Sequence, residues 1–210
     1  MIDGLSTVFV VDDDPSVLKS FSRLFRSVGG QAETYGSPEE FLRHYDPAVP
    51  GCLVLDVAMP QVDGLELQRR LAAAGCPLPI VFITGHGDVR TSVRAMRAGA
   101  LNFLVKPVDD EDLLNAVREA VETDRAARRA QRDLTLIRER LATLTPRERE
   151  VLDQVMAGRL NKQIAGDLGT VEKTIKVHRA HIMEKMGARS LAGLARMGER
   201  LGIGAPDVTA

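Results

Sequence analysis

Cysteine is nearly absent from this 210-residue chain: Cys52 and Cys76 are the only two, with no CxxC spacing and no clustered histidines beside them. That excludes a disulfide framework and leaves redox and zinc chemistry without ligands, so both thiols read as free, buried side chains. Long apolar runs are missing as well. No segment approaches the ~20 residues a helix needs to cross a bilayer, and the opening MIDGLSTVFVVDDD lacks the basic-then-apolar layout of a signal peptide. The expectation is a cytoplasmic protein with no membrane partner. Internal repeats and low-complexity segments are also absent. What is present is the makeup of a soluble globular protein, 44% hydrophobic and 27% charged, at a length that suggests two domains.

The net charge of −1 is an average over unlike parts. Residues 1–124 carry 11 Lys and Arg against 19 Asp and Glu, a net of −8. Residues 125–143 carry 6 against 2, a net of +4, and residues 144–210 carry 11 against 8, a net of +3. An acidic front half suits a cation, and a basic back half suits a polyanion.

In the front half, short apolar runs alternate with helical patterns. The runs are TVFVV (7–11), QAETY (31–35), CLVLD (52–56), PIVFI (79–83) and LNFLV (101–105). Apart from the weak second run, they are continuous rather than alternating, as strands covered on both faces are. Helix starts are legible between them: Asp14 before Pro15, Ser37 before Pro38 with Glu40 completing a capping box, and the acidic residues 109–112. Five such units predict an α/β fold, a (βα)5 doubly wound parallel sheet, over residues 1–124. In that architecture ligands sit beyond the carboxyl ends of the strands.

Residues 125–143 predict a helical linker: Gly and Pro are absent, and Ala127, Ala130, Leu134, Ile137, Leu141 and Leu144 step by 3, 4, 3, 4, 3. The stripe fits a short coiled coil or a single helix leaning on a domain. From 144 to 210 the pattern is all helical, with four helices. Thr145, Pro146 and Glu148 form a capping box, and Gly158, Gly169 and Gly187 close successive helices. Helices near 161–168 and 172–186 joined by a tight turn make a helix-turn-helix; a fourth spans about 190–201, and 203–210 reads as a frayed tail.

Chemistry concentrates at the strand ends. Asp12, Asp13 and Asp14 end the first strand and Asp56 the third, and acids on neighbouring strands ~4.8 Å apart repel unless a cation joins them. Carboxylates, a backbone carbonyl and water suit Mg²⁺. Thr84 and Lys106 end the fourth and fifth strands, supplying the hydroxyl and ammonium that phosphoryl oxygens on one carboxylate require. Taken singly these residues could be caps or salt-bridge partners; it is the coincidence of four strand ends that carries the reading. In the back half, the 172–186 helix turns Ile175, Ile182 and Met186 to one side and Lys173, Lys176, Val177, Ala180 and Glu184 to the other. The second face suits a helix entering the major groove by its first turns, with Thr174, His178, Arg179 and Lys162 flanking it toward phosphates. The plain alternative is a solvated basic face.

VVDDD (10–14), LVLDVAMPQVDG (53–64), FITGHGD (82–88) and the pair Lys106–Pro107 resemble the receiver domain of bacterial two-component response regulators. LTPREREVL (144–152), NKQIAGDLG (161–169) and KTIKVHRAHIMEKM (173–186) resemble the helix-turn-helix of LuxR-type regulators, and the whole resembles the FixJ branch of the NarL/FixJ response regulators. The resemblance implies that Asp56 accepts a phosphoryl group from a sensor histidine kinase. It implies Mg²⁺ on Asp13, Asp56 and the Ala58 backbone carbonyl, with Asp12 acting through a water, and roles for Thr84 and Phe103 as switch residues and Lys106 as the phosphate contact. It also implies a cis bond before Pro107, and dimerisation on phosphorylation through the helix 4, strand 5 and helix 5 face. Double-stranded promoter DNA and RNA polymerase become the partners of a transcriptional activator, a switch that processes only its own Asp56 phosphate and is not otherwise an enzyme. At the recognition-helix N-cap, where relatives carry Ser or Thr, this chain has Val171, one residue after Thr170. Two rivals remain: a phosphorylation-controlled protein-binding adaptor, which would lack the steep salt dependence of DNA binding, and a Mg²⁺-dependent phosphohydrolase, whose DxDx signature the DDD run does not match.

Overall fold

Apolar residues that alternate along the three central strands are buried on both sides of a five-stranded sheet, and this explains the continuous runs. Phe9, Val11, Leu53, Leu55, Ile80 and Phe82 pack into one core, while Val8, Val10, Cys52, Val54, Val81 and Ile83 pack into the other. The computed structural model describes residues 6–85 and 88–203, so His86 and Gly87 of the TGHGD motif, and the expected tail beyond Ile203, lie outside the described residues. The chain divides into two compact units, Met1–Arg128 and Arg129–Ala210. No helix among the described residues is long and apolar enough to cross a membrane.

The first unit is the α/β half. Its strands are β1 (Thr7–Val11), β2 (Gln31–Tyr35), β3 (Gly51–Asp56), β4 (Ile80–Thr84) and β5 (Asn102–Val105). All pairings are parallel, in the order β2-β1-β3-β4-β5. The chain changes direction of growth between β1 and β3, which opens a crevice beyond their carboxyl ends. Helices α1 (Pro15–Ser27) and α5 (Asp110–Ala142) supply Phe25, Leu113, Val117 and Val121 to one face. Helices α2 (Pro38–His44), α3 (Gly64–Ala73) and α4 (Val89–Arg97) supply Phe41, Leu67, Leu71 and Ala95 to the other. β2, weak as a sequence pattern, is an edge strand, and its mostly exposed QAETY carries a charge at Glu33 as edges do.

Boundaries differ from the sequence expectation for physical reasons. β3 starts one residue early, at Gly51, because only glycine fits there: a Cβ would stand 1.9 Å from the Thr7 carbonyl oxygen. The expected capping box at α2 is offset. The Ser37 hydroxyl accepts from Glu40 N at 3.1 Å, but the Glu40 carboxylate reaches past Ser37 to accept from Gly36 N at 2.8 Å. At the start of β3, the fully buried Asp124 accepts from Gly51 N at 3.0 Å and pairs with Arg128 Nε at 2.8 Å. The Arg128 guanidinium also donates to the carbonyls of Pro47, Ala48 and Val49.

α5 crosses the division at Arg128/Arg129. In the second unit it is followed by α6 (Pro146–Met156), α7 (Asn161–Asp167), α8 (Glu172–Met186) and α9 (Leu191–Leu201). Ile137, Leu141 and Leu144 join the core with Val151, Ile164, Ile175, Ile182 and Leu194. For these three stripe residues, then, the linker leans on a domain, while Ala127 and Ala130 are exposed. The α7–α8 turn needs a left-handed residue, and Gly169 supplies it with φ 61°. The Thr145–Glu148 capping box forms in full. The buried Glu148 also pairs with Lys185 at 2.6 Å, and that bond, with those from Thr145, holds its carboxyl down at about 2.

Two outcomes follow from these buried charges. Arg128→Ala strands the Asp124 carboxylate and should cost about 3–5 kcal/mol in urea unfolding of the first unit; a loss below about 1 kcal/mol would reduce the pair to a surface contact. Because Glu148 binds its proton less readily when folded than its ordinary 4.5, it stabilises the fold at neutral pH and that contribution fades as pH falls from 4.5 toward about 2. Calorimetry of Glu148→Gln should show lower stability than the parent at pH 7 and a flatter acid profile; parallel profiles would rule the contribution out.

Candidate functional site

The crevice at the carboxyl ends of the strands brings three of the expected residues into one contact. Lys106, just past β5, places its Nζ 2.7 Å from Asp12 Oδ2 and 2.7 Å from Asp56 Oδ1. Both carboxylates are buried, and the lysine is one-quarter exposed. Burial pushes the Asp12 carboxyl above its usual range, with the Lys106 hydrogen bond only partly opposing. Burial also pulls the Lys106 ammonium down, but its bonds to Asp12 and Asp56 overcome this and its pKa is raised. The ammonium is therefore fully charged at neutral pH.

Local structure places each group. Asp12 Oδ1 accepts from Asp14 N at 2.9 Å, turning the chain into α1, whose N-cap is Asp14 as expected. Asp56 Oδ2 accepts from Ala58 N at 2.7 Å. Asp13 and Ala58 are exposed beside them. Thr84 is buried as the last residue of β4, in the strand that separates β3 from β5. Its carbonyl accepts from Lys106 N at 2.7 Å. The Lys106–Pro107 bond is cis. Phe103 is half-buried on β5, its ring 6.1 Å from that of Phe82.

One positioning residue escaped the sequence reading. A Cβ on Gly64 would lie 2.2 Å from the Asp56 carbonyl oxygen and 3.0 Å from the Phe82 ring. Its absence lets α3 begin directly against the strand that carries Asp56. The signal was the Asp63–Gly64 pair, where Asp63 caps α3 by accepting from Glu66 N at 2.7 Å.

On α8, Lys173, Lys176, Val177 and Ala180 are exposed on the side opposite the buried Ile175, Ile182 and Met186. Lys176 lies 3.4 Å from Glu172. Lys162 is exposed on α7. Thr174, His178 and Arg179 are half-buried at the margins, and Arg179 Nη1 donates to Asn161 Oδ1 at 3.0 Å. Val171 occupies the N-cap with no side-chain hydrogen bond.

Comparison with known proteins agrees with both halves. Residues 8–118 match the response regulator receiver domain, and residues 142–198 match the bacterial regulatory proteins of the luxR family. The chain belongs to the response regulators with a LuxR-type DNA-binding domain. It is 50% identical to nodulation protein W of Bradyrhizobium diazoefficiens, over 94% of this chain and 87% of that one. It is 42% identical to transcriptional regulatory protein FixJ of Rhizobium meliloti, over 94% and 97%. The solved structure of response regulator StyR superimposes with a TM-score of 0.84 at 46% identity, covering 93% of this chain and 98% of that one. This response regulator is a DNA-binding regulator of transcription and not an enzyme by family. Its receiver is the unit that holds Asp12, Asp56 and Lys106, and its LuxR-type domain is the unit that holds α8.

In this receiver, Gly64→Ala forces a methyl group into the Asp56 backbone and should cost about 1–3 kcal/mol by overpacking. Thermal unfolding of the full chain reads the loss, and an unchanged midpoint would show that the close approach relaxes freely.

Proposed function

We propose that Asp56 is the phosphoacceptor of this response regulator, taking its phosphoryl group from a phosphohistidine on a sensor histidine kinase. The observation that carries the reading is the Lys106 ammonium, 2.7 Å from both Asp12 and Asp56 at the carboxyl end of the sheet. An oxygen of the Asp56 carboxylate forms the new P–O bond while the P–N bond of the phosphohistidine breaks and its electron pair returns to the imidazole. Lys106 is placed to follow the added charge, since its ammonium already contacts the acceptor. The Thr84 hydroxyl, at the end of the intervening strand, and Phe103 on β5 are the groups proposed to report the change.

The residues present fit a Mg²⁺ ion. Asp12 and Asp56 bring two buried negative charges against one ammonium, which leaves an excess that a hard divalent cation offsets. Among the described residues no three His, Cys, Asp or Glu side chains form a ready cage, but Mg²⁺ keeps several waters and needs only one or two carboxylates. Asp13, Asp56 and the Ala58 carbonyl would hold it, with Asp12 acting through water, and when bound it would offset the charge on the phosphoryl oxygens.

The active form is read as a dimer joined through α4, β5 and α5, supported by the exposed apolar side chains Val89, Val93, Met96 and Val105 on that face. In the LuxR-type domain, Lys173, Lys176, Val177 and Ala180 are assigned to base edges in the major groove of promoter DNA. Lys162, Thr174 and His178 are assigned to the sugar-phosphate backbone. The protein then acts in the cytoplasm as an activator alongside RNA polymerase.

Sedimentation of the parent and of Asp56→Asn, each with Mg²⁺ and with or without a small-molecule phosphodonor, tests the switch. The parent should gain dimer with the donor and the variant should not. Dimer gained equally by Asp56→Asn would remove Asp56 from the role, and a parent that carries phosphoaspartate yet stays monomeric would remove dimerisation.

A further inference from the structure

Arg179 stands on α8 among residues whose position suits DNA, yet its side chain is committed to the protein. It lines an apolar cleft with Val155, Ile182, Met183, Leu191 and Leu194. Its head donates to Asn161, the first residue of α7. The neighbours assigned to bases, Lys173, Lys176, Val177 and Ala180, are all exposed, whereas Arg179 is half-buried.

The segment it holds is short, with its core contacts in the middle and second half of the helix: Ile164, Ala165 and Leu168. α7 has seven residues, of which only Ile164 and Ala165 are buried, and so short a helix does not persist without tertiary support. Leu160 at its N-cap has no side-chain oxygen to offer the first N–H groups. Gln163 reaches back to accept from Leu160 N at 2.9 Å, which orders the entry but does not tie it to another helix. At the far end, Arg147 on α6 donates to the Leu168 carbonyl. Arginines from α6 and α8 therefore grip the two ends of α7, and the grip at the N-terminal end sits beside Lys162.

We propose that Arg179 is a positioning residue rather than a DNA contact: through Asn161 it fixes the first turn of α7 against α8 and so places Lys162 toward the DNA backbone. A guanidinium suits this task because its planar fork holds direction once one donor is engaged. The inference rests on the reading of the α8 face as the DNA-binding surface, and it reassigns one residue within it.

A double-mutant cycle on the full-length protein tests it, with Arg179→Ala, Asn161→Ala and the double variant titrated against a mixed-sequence DNA duplex at several salt concentrations. Each single variant should weaken binding roughly 3- to 10-fold, and the double no more than the stronger single, because both remove one shared contact. Amide exchange in the first turn of α7 should quicken in all three. The proposal is overturned if Asn161→Ala binds like the parent, or if the two losses multiply, since Arg179 would then act on DNA directly. Lys162→Ala serves as the control for the backbone contact and should reduce the salt slope by about 0.9. A parent protein with no salt-dependent binding to duplex would instead defeat the DNA-face reading, and the exchange data would still judge the Arg179–Asn161 brace.

Discussion

Two carboxylates buried side by side repel, and one ammonium cannot neutralise both. Asp12, Asp56 and Lys106 therefore form a cleft with an excess of negative charge, which a folded protein tolerates only if the surrounding structure fixes it in place. The doubly wound sheet does so by its connectivity. β1 and β3 are neighbours because the strand order reverses between them, so Asp12 and Asp56 arrive side by side on separate strands. β5 lies two strands from β3, and only a side chain as long as lysine spans the intervening end of β4, where Thr84 stands. A group that binds at this end of the sheet thus meets three strands at once, and a change of charge on Asp56 is felt directly on β5.

The opposite end of the same sheet uses similar ingredients to the opposite effect. Asp124 is fully buried, but one arginine and the Gly51 N–H satisfy it, and that arginine is in turn satisfied by three carbonyls of the loop before β3. Asp124 and Arg128 satisfy one another and the loop before β3, so neither is left as an uncompensated buried charge. The two ends of the strands differ in balance: the amino-terminal end carries a closed ion pair, and the carboxyl-terminal end sets two buried carboxylates against one ammonium.

Both ends bear on what could be read without coordinates. Strand runs, helix caps at Asp14, Ser37 and Thr145, and the cluster of acids, hydroxyl and lysine were legible because each depends on residues close in sequence or on the known geometry of strand ends. The contacts of Gly51 and Gly64 were not. Both depend on how closely two backbones approach across the sheet or at a helix start, and a glycine in the sequence does not say which neighbour it admits. The Asp124–Arg128 pair was hidden for a different reason: it resembles any i, i+4 surface pair until the loop before β3 closes over it. In the linker, heptad spacing was real, but Ile137, Leu141 and Leu144 face the helices that follow.

Helix α8 shows where such reading stops. A step of 100° per residue assigns Ile175, Ile182 and Met186 inward and Lys173, Val177 and Ala180 outward, and the structure agrees. Residues at the margin, such as Thr174, His178 and Arg179, have no such fixed allegiance. An arginine there has a stem long enough to lie on apolar surface and a head that can turn either to a phosphate or to a neighbouring helix. Which it chooses is set by what the neighbouring helix lacks. α7 is short and without a side-chain cap at Leu160, and the Arg179 guanidinium ties its first residue to α8. The margin of α8 is therefore the place where packing claims side chains that periodicity leaves unassigned.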